Sequence, residues 1–293
     1  MTGFIGLGIM GKPMAKNLLK AGYPLSVYDI NGDAVKELEN LGAKAAGSVK
    51  EVAEACDTII TMLPNSPHVK AVALGEEGIE AFAKPGTLFI DMSSIAPAAS
   101  IEIHDALQKK GIRMLDAPVS GGEPKAIDGT IAIMVGGDEK DFEEAKQYFD
   151  VLGSSAVLVG GIGSGNTCKL TNQVIVALNI AALSEGMMLA KMSGTDPEKV
   201  FDAIKGGLAG STVMNAKTPM ILAENFKPGF RIDLHIKDLQ NALDTGEKFG
   251  APLPLTGEIQ KVLRHLSEEG NGSLDHSGIA KYYEELAGKL FSE

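Results

Sequence analysis

With 293 residues, 44% of them hydrophobic, the chain can build two domains or one large one, and its core needs no covalent staples. Two cysteines, Cys56 and Cys168, are too few for a disulfide framework and stand in no CxxC or Cys/His cluster, which favours reduced thiols and speaks against a zinc site. A formal charge of −11 repels nucleic acid and anionic membranes, so the field has to be reversed locally wherever an anionic ligand binds.

The chain opens on a short apolar run, Thr2-Gly3-Phe4-Ile5, followed at once by Gly6-Leu7-Gly8-Ile9-Met10-Gly11. An amphipathic helical pattern from Pro13 to Ala21 comes next, then a second apolar run, Leu25 to Tyr28, closed by Asp29. Strand, GxGxxG, helix, strand and acid in that order form a dinucleotide fingerprint. Gly6 permits the tight turn out of the strand, Gly8 lets the backbone approach a pyrophosphate, and Gly11 lets the helix pack closely on the sheet. The helix N-terminus turns unpaired N–H groups toward the phosphates. NAD is the expected cofactor: Asp29 can accept from the ribose 2′- and 3′-hydroxyls and would repel a 2′-phosphate, and Ile30-Asn31-Gly32-Asp33 holds no cation to offset it. No basic segment or cleavage site precedes the first run, so a cytoplasmic protein is expected.

Further apolar runs at Thr58 to Leu63, Thr87 to Met92, Arg113 to Leu115, Ile131 to Val135 and Ala156 to Val159 alternate with helical patterns, the signature of a doubly wound α/β sheet. Glycine pairs at 121–122, 136–137 and 160–161 fall at run ends, where such sheets place ligand loops. After Gly165 the strand signal stops. Residues 166 to 190 read as one long helix whose second half, Val174 to Ala190, is apolar on nearly every face. Lys169, Glu185 and Lys191 bracket it too tightly for a membrane span, so it is expected to be buried between domains or subunits, which implies a homo-oligomer, a dimer or tetramer. Later helices are predicted from Asp196-Pro197-Glu198, an N-cap with proline in the first turn, and over Ile232 to Phe249, Thr256 to Ser267 and Ser277 to Leu290. The expected architecture is a Rossmann-type α/β domain, 1–162, and an all-α domain, 163–293, joined by a long interdomain helix.

Three groups could carry chemistry. Lys169 lies on the first turns of the long helix with Asn172 and Gln173 on the same face, an ammonium beside two amides, suited to a general acid with orienting groups. A lysine on a solvated face is the competing reading. Ser120-Gly121-Gly122 could form an anion-binding turn or only a tight turn that needs glycine. Lys237-Asp238 reads as a solvent-facing pair on a helix whose buried stripe would be Leu234, Leu239, Ala242 and Leu243. Cys168 has no histidine near it, and an adjacent helix position points about 100° from Lys169, so it makes a poor nucleophile. His68, His104, His235, His265 and His276 are scattered without ligand spacing, and no metal is expected.

GFIGLGIMG at the N-terminus, DAPVSGG at 116–122 and GSGNTCKLTNQ at 163–173 resemble the β-hydroxyacid dehydrogenase family, and the resemblance covers the whole chain. Residues 206–220 and 225–244 are most similar to the subgroup that acts on a small 2-hydroxy-3-oxo acid. The resemblance implies an NADH-dependent, reversible reduction of a small anionic semialdehyde, with Lys169 as catalytic acid and base. It implies that Ser120, Gly121, Gly122, Asn172, Gln173, Phe230 and Asp238 serve the substrate. For the cofactor it implies Gly6, Gly8, Ile9, Met10, Gly11, Asp29, Leu63, Pro64, Asn65, Ser94 and Lys237. Two positions depart from the common pattern: Ser94 stands where threonine is frequent, and Gln173 where many relatives have asparagine. Other readings are a 3-hydroxyisobutyrate or glyoxylate/succinic semialdehyde enzyme of the same family, an imine reductase and a non-catalytic NAD sensor; Lys169 disfavours the last two.

Overall fold

Phe4 and Ile5, adjacent in the first strand, are both buried but belong to different hydrophobic clusters, as do Ile59 and Ile60, Phe89 and Ile90, and Met114 and Leu115. Successive strand residues point to opposite faces, so a sheet covered by helices on both sides needs continuous apolar runs, which is what these strands contain. In the computed structural model, which describes residues 1–292, the chain divides into two compact units, Met1–Lys169 and the rest from Leu170 on.

The first unit is a Rossmann-type α/β fold on one sheet of nine strands: β1 Thr2–Ile5, β2 Leu25–Tyr28, β3 Lys44–Ala45, β4 Thr58–Thr61, β5 Leu88–Asp91, β6 Arg113–Asp116, β7 Val119–Ser120, β8 Ile131–Gly136 and β9 Gly153–Gly160. Its helices are α1 Gly11–Lys20, α2 Gly32–Glu39, α3 Val49–Ala55, α4 Ser66–Leu74, α5 Ile79–Phe82, α6 Pro97–Gln108, α7 Gly122–Asp128 and α8 Glu139–Leu152. The strand order is β3-β2-β1-β4-β5-β6-β8-β7, with β9 on β8. The first six strands are parallel; β8 runs antiparallel to β6 and β7, and β9 runs parallel to β8. The order reverses between β1 and β4, and ligands of open α/β sheets bind outside the strand ends at such a switch point. β3 and β7, two residues each, were absent from the sequence reading because so short a segment carries no periodic signal.

The second unit is helical among its described residues: α9 Ser164–Met192 continues into it, followed by α10 Pro197–Ile204, α11 Thr212–Leu222, α12 Ile232–Phe249, α13 Pro254–Leu266 and α14 Ile279–Ala287. Asp196 caps α10 by accepting from the Glu198 N–H at 2.9 Å. α9 is long and apolar enough to cross a membrane by length and composition, yet Ala177, Ile180 and Ala181 are packed in one cluster with Ile232, Leu239 and Leu263. Leu183, Met187 and Met188 pack in a second cluster with Met214, Ile221 and Phe226. α11 escaped the sequence reading, since Pro219 interrupts it and only Met214, Thr218 and Ile221 are buried.

Candidate active site

The turn after β1 is shaped by its glycines. Gly6 has φ +96°, where a Cβ would run into the Met62 carbonyl, and a Cβ on Gly11 would run into the carbonyl of Gly6. Gly8 differs: it is exposed, and a Cβ built there meets nothing within 4 Å, which leaves its backbone open to close approach. Ile9 is exposed and Met10 half-buried; Met10 is the N-cap of α1 but makes no side-chain cap, and since the Lys12 N–H is taken by the Gly8 carbonyl at 3.0 Å and Pro13 has none, the Gly11 N–H is the first-turn donor left for a ligand. Asp29 accepts from Leu7 N at 2.5 Å and Asn31 N at 2.7 Å, bracing the glycine turn against the end of β2 while each oxygen keeps a second lone pair. Beside α1 a cleft of about 710 Å³ is lined by Gly8, Ile9, Lys12, Lys16, Asn31 and Glu37 among others. Glu37 binds Lys12 at 2.8 Å and Lys16 at 2.5 Å, and these hydrogen bonds hold its carboxyl down at about 2. After β4, the Leu63 N–H donates to Ser93 Oγ at 2.8 Å, Pro64 is exposed, and Asn65 caps α4, accepting from Ser66 N at 2.8 Å. Ser94 is half-buried after β5.

Lys169 is only 6% exposed, so the solvated-face reading does not hold. Its place follows from how α9 starts. Asp116, at the end of β6, accepts from Gly163 N and Asn166 N at 2.7 Å each. The Asn166 side chain accepts from Ile95 N at 2.9 Å and donates to Ser100 Oγ at 3.1 Å. One turn before Lys169 the helix is thus tied to the sheet and to α6, which explains why the first unit ends at Lys169 rather than where the strands end. Burial pushes the Asp116 carboxyl up to about 7, and neighbouring Asp91 adds to this against the pull of the two N–H donors. Ser120 ends β7, and the turn into α7 places Gly121 at φ +144° and Gly122 at φ +70°, so both glycines are conformationally required.

In the second unit, Asn172 Nδ2 donates to Gln173 Oε1 at 2.8 Å and Gln173 Nε2 to Asp238 Oδ2 at 2.7 Å. Asp238 Oδ1 pairs with Lys237 Nζ at 3.0 Å. The expectation of a solvent-facing pair is corrected: Asp238 is 1% exposed, inside a stripe made of Ile232, His235, Asp238, Leu239, Ala242 and Gly246. Leu234 and Leu243 are only half-buried. The polar members can lie inside because they have partners. His235 Nε2 meets the Gln173 carbonyl at 3.1 Å, and its Nδ1 lies 3.0 Å from Nδ1 of His276. Phe230 sets its ring edge-on to both imidazoles, with centroids 5.7 and 5.4 Å away. Asp275 holds that loop by accepting from Gly229 N at 2.9 Å and Phe230 N at 3.1 Å, while Lys217 Nζ lies 2.8 Å away. Burial pushes the Asp275 carboxyl up, but the charges of His276 and Lys217 and the backbone donors outweigh it and hold it at about 2.

Sequence reasoning passed over Asp116, Asn166, His235, Asp275 and His276. Only His235 had a local signal, one turn before Asp238 on the same helix face. The chain matches two family models: one described as the NAD binding domain of 6-phosphogluconate dehydrogenase over residues 1–161, the other as NAD-binding of NADP-dependent 3-hydroxyisobutyrate dehydrogenase over residues 163–283. It is 44% identical to 2-hydroxy-3-oxopropionate reductase of Escherichia coli K12 over 97% of each chain. With mitochondrial 3-hydroxyisobutyrate dehydrogenase of Mus musculus it shares 38% identity, over 97% of this chain and 87% of the relative. A solved structure of 3-hydroxyisobutyrate dehydrogenase from Mycobacterium tuberculosis with L-serine superimposes with a TM-score of 0.90 at 31% identity, covering 96% of this chain and 97% of that one. The open backbone at Gly8, the uncapped start of α1 and the acid after β2 fit a bound NAD(H). The chain belongs to the β-hydroxyacid dehydrogenase family and binds NAD(H).

Proposed function

We propose that the protein reduces tartronate semialdehyde (2-hydroxy-3-oxopropanoate) to D-glycerate, reversibly, with NADH as the preferred cofactor. The observation that carries this reading is the polar patch of half-buried Asn172 and buried Gln173, one helical turn beyond Lys169, with buried Asp238 from α12, which suits a substrate hydroxyl better than a methyl group. The 44% identity to a reductase of that name supports it. Bound NADH supplies the hydride. Lys169 donates a hydrogen bond and then a proton to the aldehyde oxygen. In the reverse direction Lys169 takes up the alcohol proton. The N–H groups of Ser120 to Gly122 hold the carboxylate, and Phe230 keeps the substrate role that the family resemblance implies. Lys237 keeps the cofactor role that the family resemblance implies.

Preference for NADH over NADPH rests on Asp29, which would repel a 2′-phosphate. Steady-state NADH and NADPH oxidation with tartronate semialdehyde and methylmalonate semialdehyde tests the whole reading. A desolvated site built for a hydroxyl loses a factor of ~10⁴ or more with an analogue lacking it. The expected result is a much higher kcat/KM for the hydroxy substrate with NADH. Equal values for the two aldehydes would move the activity to that of a 3-hydroxyisobutyrate dehydrogenase, and a preference for NADPH would overturn the role given to Asp29.

A further inference from the structure

The two histidines behind Gln173 are outside the roles assigned so far. His235 and His276 are 0% and 6% exposed, with ring centroids 4.9 Å apart. A peptide carbonyl can only accept, so the proton in the 3.1 Å contact with the Gln173 carbonyl sits on His235 Nε2. The 3.0 Å contact between the two Nδ1 atoms then has room for one proton, not two. Whichever ring donates, the other accepts, and the pair has a single hydrogen-bonded geometry. Asp275 and Lys217 stand at its far end; Asp238 and Lys237 stand beyond Gln173.

This pair ties together three segments that the chain keeps far apart: α9 through the Gln173 carbonyl, α12 through His235 itself, and the segment after α13 through His276. Phe230 lies against both rings, and the His276 N–H donates to the Phe230 carbonyl at 2.9 Å. The Gln173 side chain is in turn fixed at both ends, by Asn172 at 2.8 Å and Asp238 at 2.7 Å. We propose that His235 and His276 are positioning residues for substrate selection, holding Gln173 and Phe230 in the register in which the Gln173–Asp238 patch accepts a hydroxyl at C2 and turns away a methyl group. This rests on the substrate reading above. Neither imidazole is assigned a step in the reaction; they act through the residues they hold.

His235→Phe keeps the ring and loses both hydrogen bonds. His235→Gln retains an amide N–H placed like Nε2 and so keeps the bond to Gln173. The measurement is the ratio of kcat/KM for tartronate semialdehyde to that for methylmalonate semialdehyde with NADH. His235→Phe is expected to lower the ratio about tenfold or more, mainly through KM of the hydroxy substrate, the scale of one lost hydrogen bond in a buried site. His235→Gln should restore most of it. An unchanged ratio in folded His235→Phe, or equal losses on both aldehydes in either variant, overturns the proposal, because a merely structural role would weaken both substrates alike. Should His235→Phe fail to fold, His235→Gln decides together with His276→Phe, which leaves the Gln173 bond but removes the Nδ1 partner and is expected to lower the ratio. A wild-type ratio near one overturns the substrate reading before any variant is made, and the selection role falls with it. Nitrogen-15 shifts of the two rings report the Nδ1 pairing independently of any substrate.

Discussion

In the proposed reaction Lys169 is the residue on which the chemistry turns. A buried lysine without a task is disfavoured, and here Lys169 is 6% exposed on a helix whose first turn is tied down by Asp116 and Asn166. Lys169→Ala is expected to lower kcat by a factor of ~10²–10⁴, the usual contribution of a general acid, with NADH affinity nearly intact, while Lys237→Ala should weaken NADH binding instead. Single-turnover kinetics and NADH titration by fluorescence separate the two, and retained turnover in Lys169→Ala would exclude the role. Asp116 yields a pH prediction. Its carboxyl is raised to about 7 in the fold against about 3.9 unfolded, so the folded form binds the extra proton in between. Its contribution to stability is therefore complete below about pH 4 and is lost as pH rises through 7. Asp116→Asn should melt at lower temperature, since one of the two N–H donors, Gly163 just before α9 and Asn166 within it, then faces an amide N–H, but with a flatter pH dependence between 4 and 7. Thermal melts across that range check it; parallel curves for the two proteins would sink the assignment.

At the level of elements, the β1–α1 turn separates binding from folding. Gly8→Ala adds a methyl group to open space, so the melting temperature should hold while NADH affinity falls, because the methyl occupies the approach to the backbone. Gly11→Ala forces a methyl into the Gly6 carbonyl and should lower stability itself. Melting curves with and without NADH distinguish them, and two variants behaving alike would refute the division of labour. α12 shows how far an element can be read in advance. Its bounds, Ile232–Phe249, are those predicted from periodicity, yet its buried face was assigned a few residues off. Hydrophobicity alone turns His235 and Asp238 outward; their partners Gln173 and His276, on other elements, turn them in.

For the whole molecule, α9 carries exposed apolar side chains among the described residues: Ile175, Leu189 and Met192 are 54%, 73% and 56% exposed. The seven- and fourteen-residue spacings from Ile175 to Ala182 and Leu189 put these positions on one side of the helix. Exposed apolar surface of this kind marks an association face, and we propose that a second copy of the chain covers it, in a dimer or tetramer. Light scattering at micromolar concentration should return a multiple of the 30.7 kDa chain mass, and a monomer would rule it out. Leu189→Lys is expected to shift the population toward monomer.

The fold class, the strand–glycine–helix–strand–acid order, the cofactor and the place of Lys169 on the first turns of the long helix were legible in the sequence, because each depends on residues close together in the chain: glycines that a turn requires, periodic apolar runs, a cap. What only the tertiary structure decided is who stands next to whom across long separations. Asp116 gripping the start of α9, Asp275 holding the loop of Phe230, and His235 meeting His276 leave no periodic trace, since a polar residue reads as exposed until its partner is known. Burial of such a group is favourable only when its hydrogen bonds are made inside, and that condition is met by the packing of distant segments rather than by any local pattern.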